Sequence, residues 1–130
     1  MVTLHTTLHK TLDGRFRPSN VVSDFEKIAA KILSNRYSLS IVFIGDKYSR
    51  RLNRTYRAKD YPTNVLAFPY SEKEGEIFIN IPKTLREAKK FSSTPAQHLR
   101  YLFVHGLLHL KGYDHGEEME RQEKKLLKIL

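Results

Sequence analysis

The most informative segment of the sequence runs from His105 to His115 and reads His105-Gly106-Leu107-Leu108-His109-Leu110-Lys111-Gly112-Tyr113-Asp114-His115. It holds three of the six histidines of the chain. On a helix, residues four apart share a face, so His105 and His109 lie one above the other. Gly112 offers the positive φ that commonly ends a helix, and the turn can bring His115 back over that end. The spacing therefore predicts three converging imidazoles, which with one open position form a catalytic zinc site.

This spacing, H-x-x-x-H-x-x-G-x-x-H, resembles that of the metzincin proteases. Those enzymes carry a glutamate directly after the first histidine as general base, whereas this chain has Gly106. A glycine inside a helix costs about 1 kcal/mol relative to alanine, so we expect something to approach the backbone there. The alternative interpretation is two core histidines and a turn histidine brought together by coincidence.

Composition narrows the classes of protein that fit. A length of 130 residues predicts one domain over residues 1–130. The absence of cysteine excludes disulfides and thiolate zinc sites, which leaves histidine as the main zinc ligand. The formal charge of +9 favours a polyanionic partner, nucleic acid first and anionic membrane second. Because we find neither a membrane span nor a signal peptide pattern, we expect a cytoplasmic protein without a membrane partner.

Apolar periodicity predicts four strands and five helices. The strands are expected at residues 2–8, 37–44, 64–69 and 76–81, with a hairpin loop at 72–75. The helices are expected at residues 19–33, 47–56, 82–91, 94–111 and 117–130, and Asp13-Gly14 with Pro18 predicts a turn before the first helix. Thr94, Pro95 and Gln97 form a capping box that opens the helix over 94–111, which carries His105 and His109. The elements predict an α+β domain with a small mixed sheet of about four strands packed with helices.

The helix before the third strand is strongly basic and leads into the polar loop around Asp60. Arg57 is the candidate catalytic residue, because a guanidinium can hold a phosphate through two hydrogen bonds. The other cations are candidate RNA-binding residues through sequence-independent phosphate contacts, unless they only form a solvated helix face. These residues are Lys47, Arg50, Arg51, Arg54 and Lys59.

Two residues near the three histidines each allow more than one interpretation of their role. Asp114 is expected to cap the last helix, with Glu117 completing the capping box, or to act as a carboxylate partner of a zinc-bound imidazole. It is also a candidate for proton transfer. His98 lies two turns before His105, and we interpret it as an ordinary first-turn residue rather than part of the site.

Two separated segments together resemble the YbeY endoribonuclease family. The first runs from Leu52 to Pro69 and reads LNRTYRAKDYPTNVLAFP, and the second is the histidine stretch from His105 to His115. The order of elements is also similar to that family over nearly the whole chain. The chain departs from the usual family pattern at Asn64 and Ala67, so no role at position 64 rests on a carboxylate.

The resemblance implies a zincin-like (metzincin-like) fold and one Zn²⁺ per chain on His105, His109 and His115. It implies single-strand-specific RNA cleavage without DNA specificity, maturation of the 3′ end of 16S ribosomal RNA, and ribosome quality control with the small subunit as partner. Arg57 matches an arginine that is functionally important in the family. Another divalent transition metal can occupy a three-imidazole site in a purified sample.

Two other functions compete with the endoribonuclease. A metallopeptidase is favoured by the histidine spacing but opposed by Gly106 and by the positive charge. A non-catalytic ribosome-assembly factor that binds RNA, with a structural metal, is opposed by the open fourth position, because structural zinc sites are usually closed.

Overall fold

The computed structural model describes residues 2–9 and 19–129, and the expected turn at Asp13-Gly14 and Pro18 lies outside these ranges. The strands are β1 (Thr3–Leu8), β2 (Ser38–Ile44), β3 (Val65–Ser71) and β4 (Glu74–Asn80). The helices are α1 (Ser19–Ile32), α2 (Asp46–Arg57), α3 (Ile81–Lys90), α4 (Pro95–Leu110) and α5 (Glu117–Ile129). Within the described part, no helix combines the length and apolar character needed to cross a bilayer.

The four strands form one mixed sheet in the order β1-β2-β4-β3. Strand β2 runs parallel to both β1 and β4, whereas β3 and β4 form an antiparallel hairpin. The hairpin turn is tighter than predicted, because β4 already begins at Glu74 and pairs with Ser71. Because β3 is the last strand in this order, it is an edge strand of the sheet, and it borders a cleft.

Alternating side chains of the central strands pack on opposite faces of the sheet, as the twofold strand repeat requires. Ile77 and Ile79 of β4 belong to the larger core, which also contains residues of α1 and α4, and Phe25 stacks on Phe103 there at 3.9 Å between ring centroids. Phe78 points the other way into a smaller cluster with Leu52 of α2. The sheet thus separates α1 and α4 from α2, and the prediction of an α+β domain is confirmed.

Candidate metal centre

Helix α4 presents the first two histidines. The predicted capping box is formed in full: the Thr94 hydroxyl accepts from the Gln97 backbone N–H, and the Gln97 side chain accepts from the Thr94 N–H. Gly106 faces the sheet, where a β-carbon would lie 3.1 Å from Cδ1 of Ile77. The expected close approach to this glycine is therefore made by a buried side chain of β4. It holds the helix against the sheet.

The turn after α4 brings back the third histidine. Gly112 takes a φ of +99°, and its N–H donates to the His109 carbonyl, while the Tyr113 N–H donates to the Leu108 carbonyl. The His115 ring then lies 4.6 Å from the His109 ring and 5.1 Å from the His105 ring, between centroids. One nitrogen from each of the three imidazoles lies within 4.8 Å of the others. The predicted convergence of the three side chains is thus present.

Hydrogen bonds at the outer ring nitrogens orient two of the imidazoles. Nδ1 of His109 lies 2.9 Å from the Tyr113 carbonyl oxygen, and Nδ1 of His105 lies 3.1 Å from Oε1 of Glu123. A carbonyl oxygen and a carboxylate only accept, so the network assigns the ring protons to Nδ1. The two Nε2 atoms, 3.2 Å apart, then direct lone pairs at one region.

This arrangement fits a transition-metal ion. Zinc–nitrogen distances of about 2.0–2.1 Å around a tetrahedral ion place neighbouring ligand nitrogens about 3.3–3.4 Å apart, close to the observed separation of the two Nε2 atoms. Two facing lone pairs at that distance repel each other unless a cation lies between them. A set of three imidazoles suits zinc, copper, iron or nickel.

The charge state of the rings also suits a metal. Burial lowers the pKa of both His105 and His109 below the ordinary value of 6.5. The neighbouring imidazoles and Arg57 lower both values further, whereas Glu123 opposes the shift at His105. The neutral rings that metal binding requires are thus favoured at pH 7.

The three histidines open onto a cleft of about 440 Å³. Arg57 and Lys59 line this cleft, together with the polar side chain of Asn53 and the ring of Tyr61. Helix α2 ends at Arg57 because Ala58 adopts a left-handed conformation with φ of 57°. The predicted catalytic arginine therefore shares one cleft with the predicted metal ligands, although nearly fifty residues separate them in sequence.

The other predicted RNA-binding cations divide into two groups. Arg50 and Arg54 are engaged by Asp60, whose carboxylate accepts two hydrogen bonds from the Arg50 guanidinium at 2.9 and 3.1 Å. Lys47 and Arg51 are exposed on α2 outside the cleft. Their contact with RNA stays a prediction.

The segment 58–64 that forms one wall of the cleft is held by buried polar side chains. Ser49, fully buried on α2, exchanges hydrogen bonds with the backbone carbonyl and N–H of Thr63. Nδ2 of Asn53, also fully buried, donates to the Tyr61 carbonyl, and Nζ of Lys83 donates to the Pro62 carbonyl. Tyr61 is thus carried on a fixed backbone, with its side chain about half exposed.

Asp114 takes neither structural role considered for it. Because α5 begins at Glu117, the residue at the cap position is Gly116. The carboxylate that approaches a predicted metal ligand is Glu123, beside His105, whereas Asp114 is exposed on the cleft wall. It is the one carboxylate among the described residues that line the cleft, and its part in proton transfer stays a prediction.

Sequence reasoning missed two carboxylates. Glu123 lies on the buried side of α5 four residues after Met119, and a charged residue on an apolar stripe is the signal that marks it. Glu87 of α3 lies 2.9 Å from Nε2 of His98 and also accepts from the Asn64 amide. His98 is therefore a buried, hydrogen-bonded residue in the first turn of α4, and it lies outside the cleft.

Comparison with known proteins gives a consistent family. A family profile described as Endoribonuclease YbeY matches residues 3–130. Proteins named endoribonuclease YbeY from Aromatoleum aromaticum and Alkaliphilus metalliredigens are 42% identical over 100 residues and 39% identical over 98 residues. These matches cover 71% and 67% of this chain, but only 65% and 63% of the relatives, so the chain spans less than two thirds of their length.

Longer matches exist as well. The protein of the same name from Neisseria meningitidis serogroup B is 37% identical over 124 residues, which cover 81% of this chain and 73% of the relative. The solution structure of a Thermotoga maritima protein has a TM-score of 0.67 and 26% identity, and the match covers 97% of this chain and 87% of that one. The family profile and these identities agree with the histidine stretch and the Leu52–Pro69 segment, and the chain belongs to the endoribonuclease YbeY family.

Proposed function

We propose that this protein is a metal-dependent endoribonuclease that cleaves single-stranded RNA. The observation that carries the proposal is the shared cleft, in which Arg57 and Lys59 face the same space as the three imidazoles. Cations beside a metal site suit a phosphodiester, because they bind its negative charge and stabilise the charge that develops during cleavage. A peptide bond carries no charge for them to bind.

The residues of the chain have separable roles in this proposal. A bound Zn²⁺ supplies Lewis acidity and a water with a pKa near 7. The Arg57 guanidinium holds two phosphate oxygens, and Lys59 adds a second cation. Gly106 offers no side chain for proton transfer, so Asp114 at the cleft wall is the candidate group for accepting or donating a proton.

The aromatic side chains that line the cleft support a preference for single-stranded RNA. Tyr61 and Phe68 both line it, and aromatic rings stack on unpaired bases. In a duplex the bases are already paired and stacked, so they are not free to meet these rings. We therefore propose that the RNA enters as a single strand.

The cellular role in the proposal follows the family. It comprises maturation of the 3′ end of 16S ribosomal RNA and ribosome quality control in the cytoplasm, with the small ribosomal subunit as partner. The positive charge of the chain supports an RNA partner, because attraction to phosphates supplies most sequence-independent affinity.

The first test replaces Arg57 with glutamate. We expect Arg57→Glu to lower the rate of single-stranded RNA cleavage by roughly a hundredfold or more, since a transition-state contact is lost and a repulsive charge gained. Metal content, measured by mass spectrometry, is expected to stay at one ion per chain.

Arg51→Glu is the matched control, because Arg51 lies on the same helix but outside the cleft. The same charge change there is expected to weaken cleavage only modestly. Equal loss in both variants, or loss of the metal in Arg57→Glu, would contradict a role for Arg57 in the reaction.

The alternative, a non-catalytic RNA-binding factor with a structural metal, is tested by His109→Ala. This variant lacks one metal ligand, and an endoribonuclease is expected to lose cleavage while it keeps its fold and its affinity for RNA. If this variant instead unfolds and the wild-type protein leaves RNA intact, the structural-metal alternative is correct.

A further inference from the structure

Glu123 is a charged residue in a place where charges are rarely found. Only 6% of its surface is exposed, and it lies on α5 beside the buried Met119. An ionised carboxylate is costly to bury unless donors surround it. Its environment therefore has to supply those donors.

The hydrogen-bonding partner of this carboxylate belongs to the metal-bearing helix α4. Nδ1 of His105 lies 3.1 Å from Oε1 of Glu123. Tyr101 lies one turn earlier on α4, and burial, followed by the charge of Glu123, raises the pKa of its hydroxyl to about 12. The Tyr101 ring also lies 6.1 Å from the His105 ring, between centroids.

The carboxylate restricts which nitrogen of His105 can face the metal site. Because a carboxylate accepts but does not donate, Nδ1 must carry the ring proton. Nε2 then presents its lone pair toward Nε2 of His109, 3.2 Å away. The same tautomer of His109 is fixed by the backbone carbonyl of Tyr113, which is only four residues away in sequence. The tautomer of His105 depends instead on a side chain from another helix.

We propose that Glu123 is a positioning residue of the metal centre, which fixes the tautomer and ring orientation of His105 from helix α5. The proposal deepens the proposed function, because it rests on metal binding by the three histidines. It makes one side chain of the last helix, Glu123, part of what determines metal affinity. Carboxylates that hold metal-binding histidines typically change metal affinity 10- to 100-fold when they are removed.

The test compares two substitutions in the full-length protein. Glu123→Leu removes the acceptor but fills the buried space, and Glu123→Gln keeps an oxygen that can accept from Nδ1. Co²⁺ and Zn²⁺ dissociation constants are measured by competition with a chromophoric chelator, together with the visible spectrum of the Co²⁺ form. We expect Glu123→Leu to weaken binding roughly 10- to 100-fold with an altered Co²⁺ spectrum, and Glu123→Gln to recover most of the affinity.

Two control variants separate positioning from general effects. Glu118→Ala removes an exposed carboxylate of the same helix, which pairs with Arg121, and is expected to leave metal affinity unchanged. Leu126→Ala weakens the packing of α5 against the core and should lower the melting temperature without changing affinity at temperatures where the protein is folded.

Wild-type affinity and an unchanged Co²⁺ spectrum in folded Glu123→Leu would overturn the proposal, as would an equal affinity loss in Leu126→Ala. If Glu123→Leu fails to fold, Glu123→Ala takes its place, because it also removes the acceptor for Nδ1 of His105. Wild-type affinity in folded Glu123→Ala overturns the proposal. If the wild-type protein binds no divalent metal, the proposed function itself fails. If it binds metal and cleaves RNA regardless of Glu123, only this inference fails.

Discussion

At the scale of single residues, Gly106 is a point of close contact between the metal-bearing helix and the sheet. A β-carbon at this position would lie 3.1 Å from Cδ1 and 3.2 Å from Cγ2 of Ile77, whose side chain is fully buried. The close packing against Ile77 explains why residue 106 is a glycine. Because glycine has no side chain, the chain also lacks the general base that zincin peptidases carry at this position.

The first prediction concerns Gly106→Ala. The methyl group overpacks against Ile77, which costs about 1–3 kcal/mol, while the better helix propensity of alanine returns about 1 kcal/mol. We expect a net loss of about 1 kcal/mol in the free energy of unfolding, measured by urea titration. The double variant Gly106→Ala with Ile77→Val, which lacks Cδ1, should be more stable than the sum of the single changes predicts. Additive effects would contradict this contact.

A second prediction at this scale concerns Tyr61 and rests on RNA binding. Tyr61→Ala is expected to weaken binding of a fluorescent single-stranded RNA by roughly tenfold, because a base loses its stacking partner. Tyr61→Phe should bind normally. Tyr70 provides the control, since its ring is also exposed but contacts Glu76 and lies outside the cleft. Binding is measured by anisotropy with EDTA present, and an equal loss in Tyr70→Ala would contradict a specific role for Tyr61.

At the scale of elements, a polar cluster joins the start of α2 to β4 and α3. Asp46 in the first turn of α2 accepts two hydrogen bonds from Arg86 of α3, at 2.8 and 2.9 Å. The amide of the buried Asn80 donates both to Asp46 and to the Thr63 carbonyl. These bonds connect α3 to the start of the helix that ends at Arg57, and they also reach the wall of the cleft.

The third prediction follows from the electrostatics of Asp46. Its hydrogen bonds with Arg86, and then with Asn80, lower its pKa below the ordinary value of 3.8. A carboxyl with a lower pKa in the folded state stabilises the protein above the unfolded pKa and loses this contribution as pH falls through the folded value. Asp46→Asn should therefore be less stable at pH 7, by about 1 kcal/mol or less because the pair is partly exposed.

The difference in the free energy of unfolding between the wild type and Asp46→Asn should shrink below about pH 4. Urea titrations at several pH values measure it. Glu26→Gln, at an exposed position of α1, serves as the control and should follow the wild type throughout. A constant difference between pH 7 and pH 2.5 would contradict this origin of the effect.

The elements themselves were largely predictable, because their signals are local. Thr94, Pro95 and Gln97 specify the start of α4 within four residues, and every predicted helix and strand is present with ends within two residues. The strand order was not predictable, since the parallel pairing of β2 with β4 depends on contacts between distant segments. The same distinction explains the site: His105, His109 and His115 lie in one short stretch, whereas Glu123 and Glu87 meet histidines only after the helices pack.

At the scale of the whole molecule, charge is the dominant property. The 23 lysines and arginines outnumber the 14 aspartates and glutamates, and part of this excess lies on α2 and in the cleft. Not every cation is equally free to bind phosphate, because Arg50 and Arg54 already contact Asp60. The arrangement predicts that some basic residues contribute more to RNA affinity than others.

The fourth prediction tests these unequal contributions through the salt dependence of RNA binding. The logarithm of the RNA association constant should fall linearly with the logarithm of salt concentration, with a slope of about −0.7 for each phosphate contacted by a single strand. Replacing Lys59 or Arg51 with glutamine should make the slope shallower by about 0.7. Lys124→Gln on α5 is the matched control. A slope that responds equally to every lysine would indicate only a general effect of net charge.

The closeness of the three ligands in sequence has a consequence for folding. Eleven residues carry all three imidazoles, so an unfolded chain still holds them within reach of one ion. A metal that binds the unfolded chain stabilises the fold only by the ratio of its two affinities, not by its full affinity for the native protein. What the native state adds is orientation, through the Tyr113 carbonyl and the distant Glu123. The rise in melting temperature on adding metal therefore reports how well the ligands are organised rather than how many there are.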